Sequence, residues 1–131
     1  MKISVQYSTV IVSDLEKSEA FYSELLGFER AYHADLPAAR ITIMQSQGGA
    51  CVELIESPQF PAGLYSIGTD VDDLGEVLEA LKKKGCGPAS PIFPTTVGRH
   101  AFITDPDGVR ICLIEHSDGY KQKWMHGHTG S

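Results

Sequence analysis

Positive charge is in short supply in this chain of 131 residues: 11 lysines and arginines stand against 17 aspartates and glutamates, a net charge of −6 with the five histidines neutral. That balance argues against a nucleic-acid partner and mildly favours neutral or cationic small ones, although keeping the protein in solution is explanation enough. Cysteine is also scarce. Cys51, Cys86 and Cys112 are an odd set without CxxC spacing, and Met1-Lys2-Ile3-Ser4-Val5 lacks the form of a signal peptide, so a reducing cytoplasm is expected. No apolar run approaches the ~20 residues a membrane helix needs, which argues against a membrane partner.

What is present, 42% hydrophobic and 21% charged residues, is the composition of a soluble globular protein long enough to bury a core. The most legible stretch runs from Arg99 to Glu115, where apolar-rich segments flank Asp105-Pro106-Asp107-Gly108. Proline early and glycine last suit a type I turn closed by a left-handed glycine, hence a β-hairpin bulged at Gly108. That register sets Thr104 opposite Arg110, Phe102 opposite Cys112 and His100 opposite Ile114. One face of the hairpin then carries His100, Phe102, Cys112 and Ile114, and the other Ala101, Ile103, Ile111 and Leu113. Both faces hold apolar residues, so one meets helices and the other a cavity or a second sheet.

From the N-terminus, residues 3–12 form a β-rich run, and Ser13-Asp14 offers a helix N-cap. Ser18, Phe21, Tyr22, Leu25 and Leu26 then recur at the spacing of a helix lying on a sheet, and Gly27 ends it. Strands are expected at 28–34, 40–45 and 50–55, with a hairpin turn at Gly48-Gly49 and a linker over 57–63. The signals then restart: a strand at 64–71, a cap at Asp72-Asp73, a helix carrying Leu74, Val77, Leu78 and Leu81, and Gly85 to end it. Lys82-Lys83-Lys84 suits the negative end of that helix's dipole and reads as a solvated cap. Residues 88–94 are a loop or edge strand ahead of the hairpin. A shift of 59 residues superposes Asp73 on Asp14, Val71 on Val12, Leu74 on Leu15, Gly108 on Gly49 and Leu113-Ile114-Glu115 on Leu54-Ile55-Glu56. The chain therefore reads as an α+β protein of two βαβββ copies, residues 3–57 and 64–116, in one domain over 1–118 with a tail at 119–131.

Val12-Ser13-Asp14-Leu15 with Ser18, Phe21-Tyr22, Leu25-Leu26-Gly27-Phe28, Glu53-Leu54-Ile55-Glu56 and Asp105-Pro106-Asp107-Gly108 with Leu113-Ile114-Glu115 resemble the vicinal oxygen chelate superfamily. That superfamily includes glyoxalase I, extradiol dioxygenases, and fosfomycin- and bleomycin-resistance proteins. The resemblance implies paired βαβββ modules forming a cup-shaped sheet, often exchanged across a homodimer so that each site lies at the subunit interface. It also implies four divalent-metal positions, one on the first and one on the last strand of each module. Here these are Tyr7, Glu53, Ser66 and Cys112, where the family has histidines on the first strands and glutamates on the last.

Three of the four expected ligands are thus missing. A phenol must lose a proton of pKa roughly 10 to bind a cation, and a serine hydroxyl is worse. No metal and no cofactor are expected. Strand alternation and the repeat put Tyr7, Ile41, Ile43, Cys51, Glu53, Ser66, His100, Phe102 and Cys112 on faces that the resemblance points into the cup, a mix that suits either a small-molecule pocket or a filled interior. Glu53 reads as a ligand anchor, a raised-pKa base or an inherited carboxylate bonded to Tyr7; His100 reads as its acid–base partner or a solvated strand-start histidine. Cys112 reads as an inert buried thiol. Trp124 covers the cup's rim or anchors the tail, and His126 and His128 are expected to be idle. The leading expectation is a metal-independent homodimer that binds a small organic molecule, in the manner of the bleomycin-resistance proteins. The alternative is a glyoxalase-like lyase or isomerase, or a dioxygenase, with a rebuilt site in which Glu53 and His100 are the catalytic candidates.

Overall fold

The computed structural model describes residues 2–120. Trp124, His126 and His128 lie outside the described residues. The chain divides into two units: residues 7–65, and residue 66 onward together with the first six residues. Each has the same plan.

The first unit contains most of β1 (Ile3–Val12), α1 (Leu15–Ala20) running into a π-helical turn (Phe21–Leu25), β2 (Glu29–Asp35), β3 (Arg40–Gln45) and β4 (Cys51–Glu56), with strands ordered β2-β3-β4-β1. The second contains most of β5 (Gly63–Val71), α2 (Leu74–Lys83), β6 (Phe93–Thr95), β7 (Gly98–Thr104), β8 (Arg110–His116) and α3 (Asp118–Tyr120), with strands ordered β6-β7-β8-β5. In both, the first strand pairs parallel with the last: Tyr7 lies opposite Cys51 and Ile67 opposite Ile111, 44 residues on in each case. The repeat is therefore structural as well as sequential. The hairpin register falls as the sequence indicates, with Thr104, Phe102 and His100 opposite Arg110, Cys112 and Ile114, and Gly108 takes φ +85°. Asp105 Oδ1 holds the turn by accepting from the Asp107 and Val109 amides, each at 2.9 Å.

One face of each sheet is covered by its helix. Val12, Leu15, Met44 and Leu54 form the first core, flanked by Val10, Tyr22, Phe28 and Val52. Val71, Leu74, Val77, Ala101, Ile103 and Leu113 form the second. Alternation along the strands then assigns the positions of interest to the opposite, helix-free faces.

Both helices are fastened by the same device. Asp14 and Asp73 cap them, accepting from the amides of Lys17 (3.1 Å) and Glu76 (3.0 Å). A glutamate at the end of the last strand reaches the first helical amide: Glu56 Oε2 accepts from Leu15 N (2.8 Å), and Glu115 Oε1 from Leu74 N (2.9 Å). An arginine from the neighbouring strand grips each carboxylate, Arg40 Nε on Glu56 at 3.0 Å and Arg99 Nε on Glu115 at 3.2 Å. Orphaned amides and a positive dipole end at a helix start are thereby satisfied by a carboxylate that is itself held in place.

The first helix departs from expectation. Tyr22 of the expected stripe packs on the core, but Phe21, Leu25 and Leu26 are 48%, 70% and 49% exposed. The turn over Phe21–Leu25 is wound as a π-helix, which advances less than 100° per residue and carries Leu25 round from the face that Tyr22 presents to the core.

Candidate functional site

On the helix-free face of the first unit, parallel pairing of β1 with β4 puts Thr9 opposite Glu53, and β3 supplies Ile43 opposite Glu53 and Ile41 opposite Ile55. Tyr7, Thr9, Ile43 and Cys51 are buried, and Glu53 is partly buried. Thr9 Oγ1 donates to Glu53 Oε1 at 2.8 Å. Burial of the carboxyl pushes its pKa up to about 7, against the opposing pull of that one hydrogen bond. Glu53 thus changes charge near neutrality. Its partner is Thr9, which the sequence does not single out, although two-residue alternation from Tyr7 and a parallel register would have pointed to it.

In the second unit the same face carries Ser66 and Cys112, both buried, with His100 and Phe102 from β7. His100 is only 9% exposed, which overturns its reading as a solvated strand-start residue. Its Nδ1 lies 3.4 Å from Cys112 Sγ, its Nε2 lies 2.6 Å from Thr95 Oγ1, and its ring stacks on Phe93 at a centroid distance of 5.3 Å. Burial, reinforced by the nearby His116, draws the imidazole pKa down to about 4, so His100 is neutral at physiological pH. Thr95 and Phe93 have no sequence signal beyond the short edge strand that carries them. Further along the same face, His116 Nδ1 lies 2.6 Å from Asp70 Oδ1 and the ring stacks on Tyr120.

The second unit therefore has a thiol, an imidazole and a phenyl ring where the first has a carboxyl and two isoleucines. At the metal positions these groups are poor donors to a hard divalent ion. Tyr7 and Ser66 are uncharged oxygens and the Cys112 sulfur is a soft donor, which leaves Glu53 as the one hard anionic ligand of the four. Among the described residues, one trio of carboxylates lies close enough to share a cation, Asp14, Glu16 and Glu56, but Arg40 already bonds two of them, Glu16 (2.6 Å) and Glu56 (3.0 Å). An open groove of about 450 Å³ lies at the ends of β1 and β4, bordered by Val12, Ser13, Glu56, Ser57 and Phe60, away from the faces just described.

The architecture and motifs agree with comparison to known proteins. A family model described as the Glyoxalase/Bleomycin resistance protein/Dioxygenase superfamily matches residues 4–113. The chain belongs to this superfamily. The YwkD protein of Bacillus subtilis is 30% identical over 125 residues, covering 86% of this chain and 96% of its own. A lactoylglutathione lyase of Neisseria meningitidis serogroup B is 30% identical over 120 residues, covering 82% and 87%. Methylmalonyl-CoA epimerase from Mycobacterium tuberculosis has the same fold, with TM-score 0.76 over 91% of each chain at 19% identity. No helix among the described residues is long and apolar enough to cross a membrane.

Proposed function

We propose that this member of the glyoxalase/bleomycin resistance superfamily is a metal-independent homodimer that binds a small organic molecule at a helix-free sheet face. The observation that carries the reading is the set of side chains at the four metal positions. Tyr7, Ser66 and Cys112 stand where imidazoles and a carboxylate would be needed, and the one carboxyl left, Glu53, bonds Thr9. Each face by itself suits an organic ligand: in the first unit Ile41 and Ile43 supply apolar area beside the carboxyl of Glu53, and in the second Phe102 supplies it beside the imidazole of His100. Elemental analysis of protein purified without chelators tests the reading. Substoichiometric transition metal is expected, and a tightly held stoichiometric nickel, zinc, manganese or iron would overturn it.

A second reading, a lyase of the glyoxalase type with a rebuilt site, is favoured by the name of the Neisseria relative. In that reading Glu53, poised near neutrality, moves the proton. Enzymatic formation of lactoylglutathione, lost in Glu53→Gln, would establish it over the binding reading.

A further inference from the structure

We propose that the helix-free face of the first unit selects ligands that carry a protonated amine on an apolar body, with Glu53 as the counter-charge. The inference rests on the small-molecule reading and names the chemistry of the ligand. Glu53 stands opposite Thr9 on one side and Ile43 on the other, with Cys51 and Ile55 next to it along its own strand face. The titratable side chains facing it from these strands are Tyr7 on β1 and Cys51 on β4, whose thiol is kept neutral by burial; β3 contributes Ile41 and Ile43.

The cations of the unit lie elsewhere. Arg30 pairs with Glu19 and contacts His33, Arg40 is held by Glu16 and Glu56, and Lys17 is exposed on α1, which covers the other face. Glu53 therefore receives a hydroxyl hydrogen bond from Thr9 and faces aliphatic side chains, and among the described residues of its unit no cation balances its ionised form. A carboxylate in that setting is held near its neutral state, as its displaced pKa of about 7 reflects.

An ammonium group seated beside Glu53 supplies what the protein withholds. The charge-assisted hydrogen bond it makes is about twice as strong as a neutral one, and the isoleucines bury the body of the ligand. A neutral alcohol of the same shape gains only the apolar contact and an ordinary hydrogen bond. Because the ammonium stabilises the carboxylate, binding below about pH 7 expels the proton from Glu53, and affinity rises with pH until the free carboxyl is already ionised.

The test compares 4-phenylbutylamine with 4-phenylbutan-1-ol, titrated into the full chain carrying labelled isoleucine methyl groups and read at Ile41 and Ile43 by NMR. At about pH 8 the amine is expected to bind about tenfold more tightly, a preference that shrinks toward unity at about pH 5.5 and disappears in Glu53→Gln. The variant removes a buried ionisable group and is expected to fold. Equal affinity for the two compounds, or a preference that survives Glu53→Gln, overturns the amine assignment while leaving the small-molecule reading in place. Saturable binding of neither compound at these methyl groups counts against that reading itself, and the assignment falls with it.

Discussion

The two modules of this chain agree where a helix must be fastened and disagree where a ligand would be met. Asp14 and Asp73, Leu15 and Leu74, Arg40 and Arg99, Glu56 and Glu115, and Gly49 and Gly108 are the same residues 59 positions apart, and they make the same hydrogen bonds at the same ends of the same elements. On the helix-free faces the partners are Tyr7 and Ser66, Thr9 and Gly68, Ile41 and His100, Ile43 and Phe102, and Glu53 and Cys112. Helix fastening tolerates little change, because a buried helix start left without acceptors forfeits several hydrogen bonds at once. A face that only has to be filled, or that waits for a ligand, can hold almost any side chain of suitable size.

The comparison breaks first at the start of β7. Gly98 has φ +152°, and a Cβ there would overlap the Glu115 carbonyl oxygen, whereas its counterpart in the first module is Ala39, with an ordinary negative φ. Gly98→Ala is expected to cost about 3 kcal/mol or more, enough to prevent folding if the chain is only marginally stable. Gly98 contacts β8 directly, so denaturant unfolding should show the loss in full, while Ala39→Gly should move the midpoint only slightly.

Next come the two titrating groups, whose effects on stability run in opposite directions. Glu53 keeps a proton up to about pH 7 in the folded chain but releases it near its ordinary value when unfolded, so stability present in acid is lost as pH rises through about 7. His100 refuses a proton down to about pH 4, while the unfolded imidazole takes one near 6.5, so stability present above 6.5 is lost as pH falls toward about 4. The two slopes overlap and largely cancel. Glu53→Gln should therefore expose a stability that rises with pH, gaining roughly 1–3 kcal/mol over wild type at about pH 8 and nothing at about pH 4. His100→Gln should expose the opposite trend. Unfolding curves for the three proteins across this range check it, and parallel profiles would show that the two groups are not buried as described.

How far the sequence carried each part follows from what each feature depends on. Caps, terminating glycines, the 59-residue repeat and the hairpin register are set by neighbours in the chain, and each was legible at Asp14, Gly85 and Gly108. The winding of Phe21–Leu25 was not, because helical periodicity presumes 3.6 residues per turn and a π turn breaks the presumption without any special residue type. At the site, alternation placed Tyr7, Glu53, His100 and Cys112 on the helix-free faces of their sheets. Their partners were hidden, since Thr9 meets Glu53 across a separation of 44 residues and Thr95 reaches His100 from a three-residue edge strand. Hydrogen bonds between distant side chains depend on strand order, which residue spacing does not reveal.

A smaller effect sharpens the contrast at the helix anchors. Arg40 holds two carboxylates, Glu16 and Glu56, and Arg99 holds Glu115, so the glutamate of the first module has the more heavily tied partner. Arg40 lowers the pKa of both its carboxyls, so their contribution to stability is present above the ordinary carboxylate range and fades as pH falls below it. Glu56→Gln is expected to lower the thermal midpoint more than Glu115→Gln at neutral pH, with the gap closing in acid.

The smallest expected effect is at Thr95, where His100 has a hydroxyl partner that the first module cannot have, since Ile41 fills the equivalent place. A hydroxyl that accepts from Nε2–H leaves Nδ1 unprotonated toward Cys112, whereas a hydroxyl that donates to Nε2 puts the proton on Nδ1. The weak acceptor strength of sulfur favours the first arrangement, in which the thiol donates to the imidazole. Thr95→Val should then cost about 1 kcal/mol and shift the imidazole away from the Nε2–H tautomer, a change read from the two ring nitrogens by ¹⁵N NMR. Ring nitrogen shifts that stay put would mean that Cys112, not Thr95, sets the proton position.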